Sequence, residues 1–107
     1  MLAKANRVVR PEDFRAAVRR GRRHAAPEAV YYRVAREGAP LRFGFIVSRA
    51  VGGAVDRNRL RRRMRAVGRE LVDSGRSGED VVIRALPGSA ELSWSDLSGR
   101  MRAELAR

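Results

Sequence analysis

Six of the nine residues from Arg57 to Arg65 are arginine, in the run Arg57-Asn58-Arg59-Leu60-Arg61-Arg62-Arg63-Met64-Arg65, and Gly52-Gly53 leads into it. A guanidinium stays charged at any working pH and offers five N–H donors in a planar fork, so a row of them grips oxyanions, phosphates above all. If the run is helical, at about 100° per residue Leu60, Met64, Val67 and Leu71 fall in a strip about 60° wide that would anchor it to a core. The opposite face then carries Asn58, Arg61, Arg62, Arg65 and Arg69, with Arg57, Arg59 and Arg63 on the flanks. Between Arg49 and Arg65 stand seven arginines and one aspartate, a local charge of +6 and half of the chain's formal +12. Like charges one turn apart cost a few tenths of a kcal/mol per pair, and after Asp56 the next acid is Glu70. The plain alternative is a solvated face in an arginine-rich chain, since 23 of the 24 basic residues are arginine. Codon usage explains arginine over lysine but not the clustering, and clustered basic charge marks a nucleic-acid partner.

Little else in the chain could do covalent chemistry. There is no cysteine, hence neither a disulfide nor a thiolate metal site. His24 is the only histidine, with arginines and alanines beside it and no carboxylate at ligand spacing, so it reads as a surface residue. No H-E-x-x-H, Walker loop or G-x-S-x-G occurs. The acids come singly or as adjacent pairs where helix caps need them, not as a cluster able to hold two metal ions. Phe14 and Tyr32 are open between core packing and stacking on unpaired bases.

The ordered motifs resemble the bacterial ribonuclease P protein family. Arg57-Asn58-Arg59, with Gly52-Gly53-Ala54-Val55 before it and Leu60 to Arg65 after it, is similar to that family's RNR signature. The likeness extends over Asn6-Arg7-Val8, Glu12-Asp13-Phe14, Gly21 and Phe43-Gly44-Phe45 to Ser48. It implies a protein without catalytic residues of its own, in a ribonucleoprotein whose RNA subunit cuts the 5′ leader from precursor tRNA with Mg²⁺ held mainly by the RNA. Carried over, Arg57, Asn58, Arg59, Arg61, Arg62 and Arg65 bind the catalytic RNA, while Phe14, Arg15, Tyr32 and Arg49 face the leader. The chain departs from the family pattern at Val18, usually aromatic, at Ala50, usually basic, and at Gly53, usually asparagine. A general RNA-binding or ribosome-associated module with no part in cleavage is the alternative, and it fits the charge equally well. A DNA-binding basic helix lacks support, because neither a heptad zipper nor helix-turn-helix spacing is present.

The elements that must position these residues follow from local signals. At 107 residues with 44% hydrophobic content, the chain is expected to form one domain with a modest core. Residues 1–9 read as a loose basic arm with little to pack. Pro11 opens a helix with Glu12 and Asp13 in its first turn, Arg19 and Arg20 in its last and Gly21 as its stop; Phe14, Ala17 and Val18 share a face. Residues 28–36 and 41–48 alternate in strand fashion around Glu37-Gly38-Ala39-Pro40, which predicts an antiparallel hairpin. Gly52-Gly53 permits a tight turn or an anion seat at the arginine helix's N-terminus. Val81-Val82-Ile83 suits a buried strand. Ser93 caps a last helix, with Leu92 and Leu97 spaced as a staple and Trp94, Leu97, Met101 and Leu105 on its inner face.

The expected fold is therefore α+β, a two-layer α/β sandwich in the order α-β-β(-β)-α-β-α over a small mixed sheet. General handedness rules favour a right-handed crossover; the family resemblance implies a left-handed β-α-β crossover through the arginine helix. No apolar run reaches the ~20 residues of a membrane span, so a cytoplasmic protein is expected. With a pI near 11.7, RNA binding should weaken steeply with salt.

Overall fold

The structure, a computed structural model, describes residues 2–107. Three helices, α1 (Pro11–Arg20), α2 (Ala54–Asp73) and α3 (Trp94–Leu105), accompany four strands, β1 (Arg22–Ala25), β2 (Ala29–Pro40), β3 (Arg42–Ile46) and β4 (Ser77–Ala85). Each helix has the ends its sequence encodes. Pro11 stands at the start of α1, and an ideal Cβ at Gly21 would lie 2.4 Å from the Ala17 carbonyl oxygen, so only glycine can follow Arg20 in this geometry. The Ser93 hydroxyl accepts from the Asp96 amide at 3.0 Å and caps α3.

The sheet order is β1-β2-β4-β3. The hairpin expected between residues 28–36 and 41–48 does not form. β4 inserts between the two strands, antiparallel to β2 and parallel to β3. The chain does reverse here, but around the start of β4: after a register break between Ala35 and Pro40, β2 ends with Pro40 opposite Ser77, and β3 sets out along the other edge of β4 with Arg42 opposite Asp80. The reason lies in β4: Val81, Val82 and Ile83 are all fully buried, a run apolar on both faces that belongs at the centre of a sheet. The hairpin that does form is β1 with β2, in which His24 opposes Tyr31. The parallel β3–β4 pair is joined by α2, as the element order requires.

Two cores result. On one face Tyr31, Phe43, Val81 and Ile83 pack with Leu60, Met64 and Val67 of α2 and with Leu97, Met101 and Leu105 of α3. On the other, Val30, Tyr32 and Val82 pack beneath Ala17 and Phe14 of α1. The sheet is thus covered on both sides, again because β4 is apolar on both faces, and the α+β order around a small mixed sheet is the one expected. Three side chains of the predicted strip, Leu60, Met64 and Val67, are 1%, 2% and 0% exposed. At about 1.5–3 kcal/mol each, their burial holds α2 against its own charge repulsion.

Residues 2–9 are a correction to the loose arm. Leu2 and Val8 are buried, the Asn6 amide donates to the Leu41 carbonyl at 2.8 Å, and Val8 N–H donates to the Phe43 carbonyl at 2.8 Å. Arg7 pairs with Phe43 as an added bridge beside the edge strand. Met1 lies outside the described residues.

Candidate nucleic-acid interface

The arginines of α2 divide by what they touch. On the flank facing α3, Arg59 reaches the Ala90 carbonyl at 3.4 Å and Asp56 at 3.7 Å, and Arg63 donates to the Leu92 carbonyl at 3.2 Å. On the flank facing β3, Arg61 donates to the Val47 carbonyl at 3.3 Å and to Asn58 Oδ1 at 3.1 Å. Asn58 thus aims a neighbouring guanidinium, a role its place within the Arg-Asn-Arg run did not disclose. Among the described residues, Arg62 and Arg65 have no side-chain partner, and the Nε of half-buried Arg57 is a buried donor without an acceptor. Glu70, the nearest acid by sequence, is engaged elsewhere, gripped by Arg102 of α3 at 2.9 and 3.0 Å. That grip holds the Glu70 carboxyl below the usual glutamate range. The guanidiniums of Arg62 and Arg65 therefore keep all their donors for an outside partner.

Beside Arg61 and Arg65 runs a groove of about 100 Å³ along the β3 edge. Arg7, Val8, Phe14, Gly44 and Phe45 line it with those two arginines. α1 brings the Phe14 ring from one side of the sheet and α2 brings the guanidiniums from the other. Gly44 makes room for the ring: a Cβ there would stand 2.5 Å from Phe14 Cε1 and 3.1 Å from Val8 Cβ. Gly44→Ala should push the ring out of place and cost about 1–3 kcal/mol by overpacking, measurable as a lower urea midpoint with unchanged slope. An unchanged midpoint would mean that the ring is not wedged there. An aromatic face with cations beside it is the arrangement that takes an unpaired nucleotide, base on ring and phosphate on guanidinium. Larger hollows lie elsewhere, such as one of about 300 Å³ at the β1 edge. There Glu104 answers His24 and Arg107, and Glu79 answers Arg33.

The groove gathers Phe14, Arg61 and Arg65 from the residues expected to bind, and adds Arg7, which the sequence reading left unassigned. Arg15 is exposed on α1, and Arg49 is exposed in the short turn Arg49–Val51. Tyr32 is a correction. At 3% exposure beneath Ala17 it offers no ring face to a base. Val18, which shares α1 with Phe14, points outward at 42% exposure and is no part of the core. The Gly52-Gly53 approach meets α2's own Asp56: a Cβ at Gly52 would lie 3.3 Å from the Asp56 carboxylate, so an anion at this N-terminus already comes from the chain. His24 does meet a carboxylate, Glu104 at 3.2 Å, supplied from α3 rather than from its sequence neighbours.

Comparison with known proteins follows the same lines. The ribonuclease P family profile matches residues 2–107. The chain is 45% identical to the ribonuclease P protein component of Clavibacter michiganensis, over 100% of this chain and 96% of that one. It is 47% identical to the corresponding component of Rhodococcus opacus, over 100% and 91%. Among solved structures, its fold is similar to the RNase P protein of Staphylococcus aureus, with a TM-score of 0.86 at 23% identity over 96% of this chain and 94% of that one. The Thermotoga maritima RNase P protein gives a TM-score of 0.81 at 22% identity, over 92% and 94%.

Proposed function

This chain belongs to the ribonuclease P protein family, and we propose that in the holoenzyme it grips the catalytic RNA with α2 and the 5′ leader of precursor tRNA with the β3 groove. Arg57, Asn58, Arg59 and Arg62 serve the RNA subunit. Arg61 and Arg65, first grouped with them, stand beside Phe14 and serve the leader as well, with Arg7 and, further out, Arg15 and Arg49. The observation that carries this division is the groove itself, which sets the Phe14 ring, with Phe43 and Phe45, beside three arginines along the edge of β3.

The reaction is hydrolysis of the phosphodiester joining leader to mature tRNA. The protein contributes binding that precursor enjoys and product does not, since only precursor has a leader to fill the groove. It supplies no catalytic group, and it is inert without the RNA. Its carboxylates are committed mainly to arginines, as Glu70 to Arg102, Glu79 to Arg33 and Asp80 to Arg42. The Mg²⁺ of the reaction is assigned mainly to the RNA, as the family resemblance implies. Positive charge between two RNAs also lowers the Mg²⁺ they need to associate. The reading places the protein in the cytoplasm with its RNA; no helix among the described residues is long and apolar enough to cross a membrane.

The test is cleavage of a 5′-extended precursor tRNA at low Mg²⁺ by the RNA subunit of the same organism, with and without this protein. Rescue of cutting at the mature 5′ end, with no cutting by the protein alone, is expected. RNA binding without any effect on cleavage would instead favour a general RNA-binding module.

A further inference from the structure

Trp94 is the only tryptophan in the chain, and it opens α3 at 39% exposure rather than joining the core with Leu97 and Met101. The chain just before it meets the arginine helix. α2 and α3 run in the same direction, since Arg59 and Arg63 of α2 meet Ala90 and Leu92 just before α3, and Glu70, further along α2, meets Arg102 within α3. That order sets the first turn of α3 beside the middle of the arginine helix. Arg63 is bonded to the carbonyl of Leu92, two residues before Trp94, and Arg62, next to Arg63 in α2, has no partner among the described residues. Val55, one turn before Arg59, is 81% exposed and extends the apolar surface of this flank. Among the described residues nothing covers the exposed part of the indole. A large aromatic left partly open offers a ring face for stacking, and the arginines of the adjoining flank of α2 select a polyanion with flat apolar rings.

We propose that Trp94 is a second stacking platform, on the α3 side of α2 and away from the β3 groove, which takes an unpaired base of the RNA subunit while Arg59, Arg62 and Arg63 hold the adjoining phosphates. Such a contact presupposes that α2 binds the RNA subunit. It adds a position that reads an extruded nucleotide to a helix that otherwise reads backbone charge. A duplex offers no free base face, so the contact is with a bulge or loop.

The single tryptophan is its own probe. In the wild-type protein bound to the full-length RNA subunit, Trp94 emission should be quenched and its access to acrylamide should fall several-fold. Trp94→Ala should weaken binding about tenfold, the range of one lost base stack, whereas Trp94→Phe should keep affinity within about threefold. Emission that stays fully accessible in the complex would overturn the platform even if Trp94→Ala failed to fold, because that reading needs only the wild type. Equal affinity of a folded Trp94→Ala would do the same. Loss of acrylamide access with rising protein concentration and no RNA would instead assign the indole to contact between copies of the chain. A wild-type protein that did not bind the RNA subunit at all would defeat the function proposed above, a result distinct from any of these.

Discussion

Alanine at both Arg62 and Arg65 should weaken binding of the RNA subunit by about 40-fold at 0.1 M salt and flatten the salt dependence by about 1.4 to 1.8 log units per decade. The figure follows from counterion release. Each phosphate contact contributes a slope of roughly 0.7 to 0.9, and a slope of about 0.8 is worth about a sixfold change between 0.1 M and 1 M salt. These two arginines are the right pair because neither has a side-chain partner among the described residues. Their removal deletes charge facing outward and breaks nothing inside. Stability should stay within about 0.5 kcal/mol of wild type, or rise slightly as like charges on α2 are relieved. Arg59→Ala is the instructive contrast. Arg59 reaches Asp56 and the Ala90 carbonyl, so its loss should lower both the salt slope and the thermal midpoint. Binding measured across a salt series, with the unfolding midpoint of each variant, separates the cases. A double variant whose slope matches wild type would remove Arg62 and Arg65 from the interface.

How much of this was legible in the sequence depends on the range of the interactions concerned. The ends of α1, the buried strip of α2 and the Ser93 cap are set within one or two turns of chain, and Pro11, Gly21, the Leu60 to Val67 spacing and Ser93 announce them. Strand pairing is not local. Glu37-Gly38-Ala39-Pro40 has the composition of a hairpin turn, yet β3 gives up its neighbour in sequence for Val81-Val82-Ile83, which no nearer strand can bury on both faces. Tyr32 illustrates a related limit. Alternation placed it on one side of its strand with Val30, but that Ala17 of α1 would close over that side is a tertiary fact.

Trp94 shows the opposite error. It is spaced as an inner-face residue, but it sits in the first turn of α3, and the buried face of that helix begins at Leu97. For the binding residues, the Arg-Asn-Arg resemblance found the helix, and charge density alone would have found its polyanion preference. Which arginines remain free was hidden, because it turns on where Glu70, Ala90 and Val47 lie. His24 and Glu104, 80 positions apart, make the same point.

Asp80→Ala should lower stability by about 3 kcal/mol, enough to drop the thermal midpoint by roughly 15 °C in a domain of this size. The Asp80 side chain is 8% exposed and accepts from Arg42 Nε at 2.8 Å and Nη2 at 2.7 Å, with Arg36 Nη1 at 3.2 Å. Removing the carboxylate strands two guanidiniums that are themselves partly out of water, and that desolvation is what the loss measures. Asp80→Asn keeps the shape and part of the hydrogen bonding and should lose less. Acidity reports on the same network. Burial pushes the Asp80 carboxyl up, but the paired bonds from Arg42, with Arg36 behind them, outweigh it and hold the group below the usual aspartate value of 3.8. A depressed folded-state value means that the stabilisation is complete above the unfolded value and is lost as pH falls through the folded one. Wild-type stability should therefore decline below about pH 4, and the decline should be shallower in Asp80→Ala, whose network is already gone. Urea titrations at pH 7 and at steps from pH 5 to pH 2 would show both effects. Equal stability of the two proteins at pH 7, or parallel acid limbs, would show that the pair contributes nothing net. Arg42 also reaches Asp13 at 3.5 Å in the first turn of α1, next to Phe14. Loss of Asp80 should then loosen the strut that sets the ring against the groove, and leader affinity should fall even at a temperature where the variant remains folded.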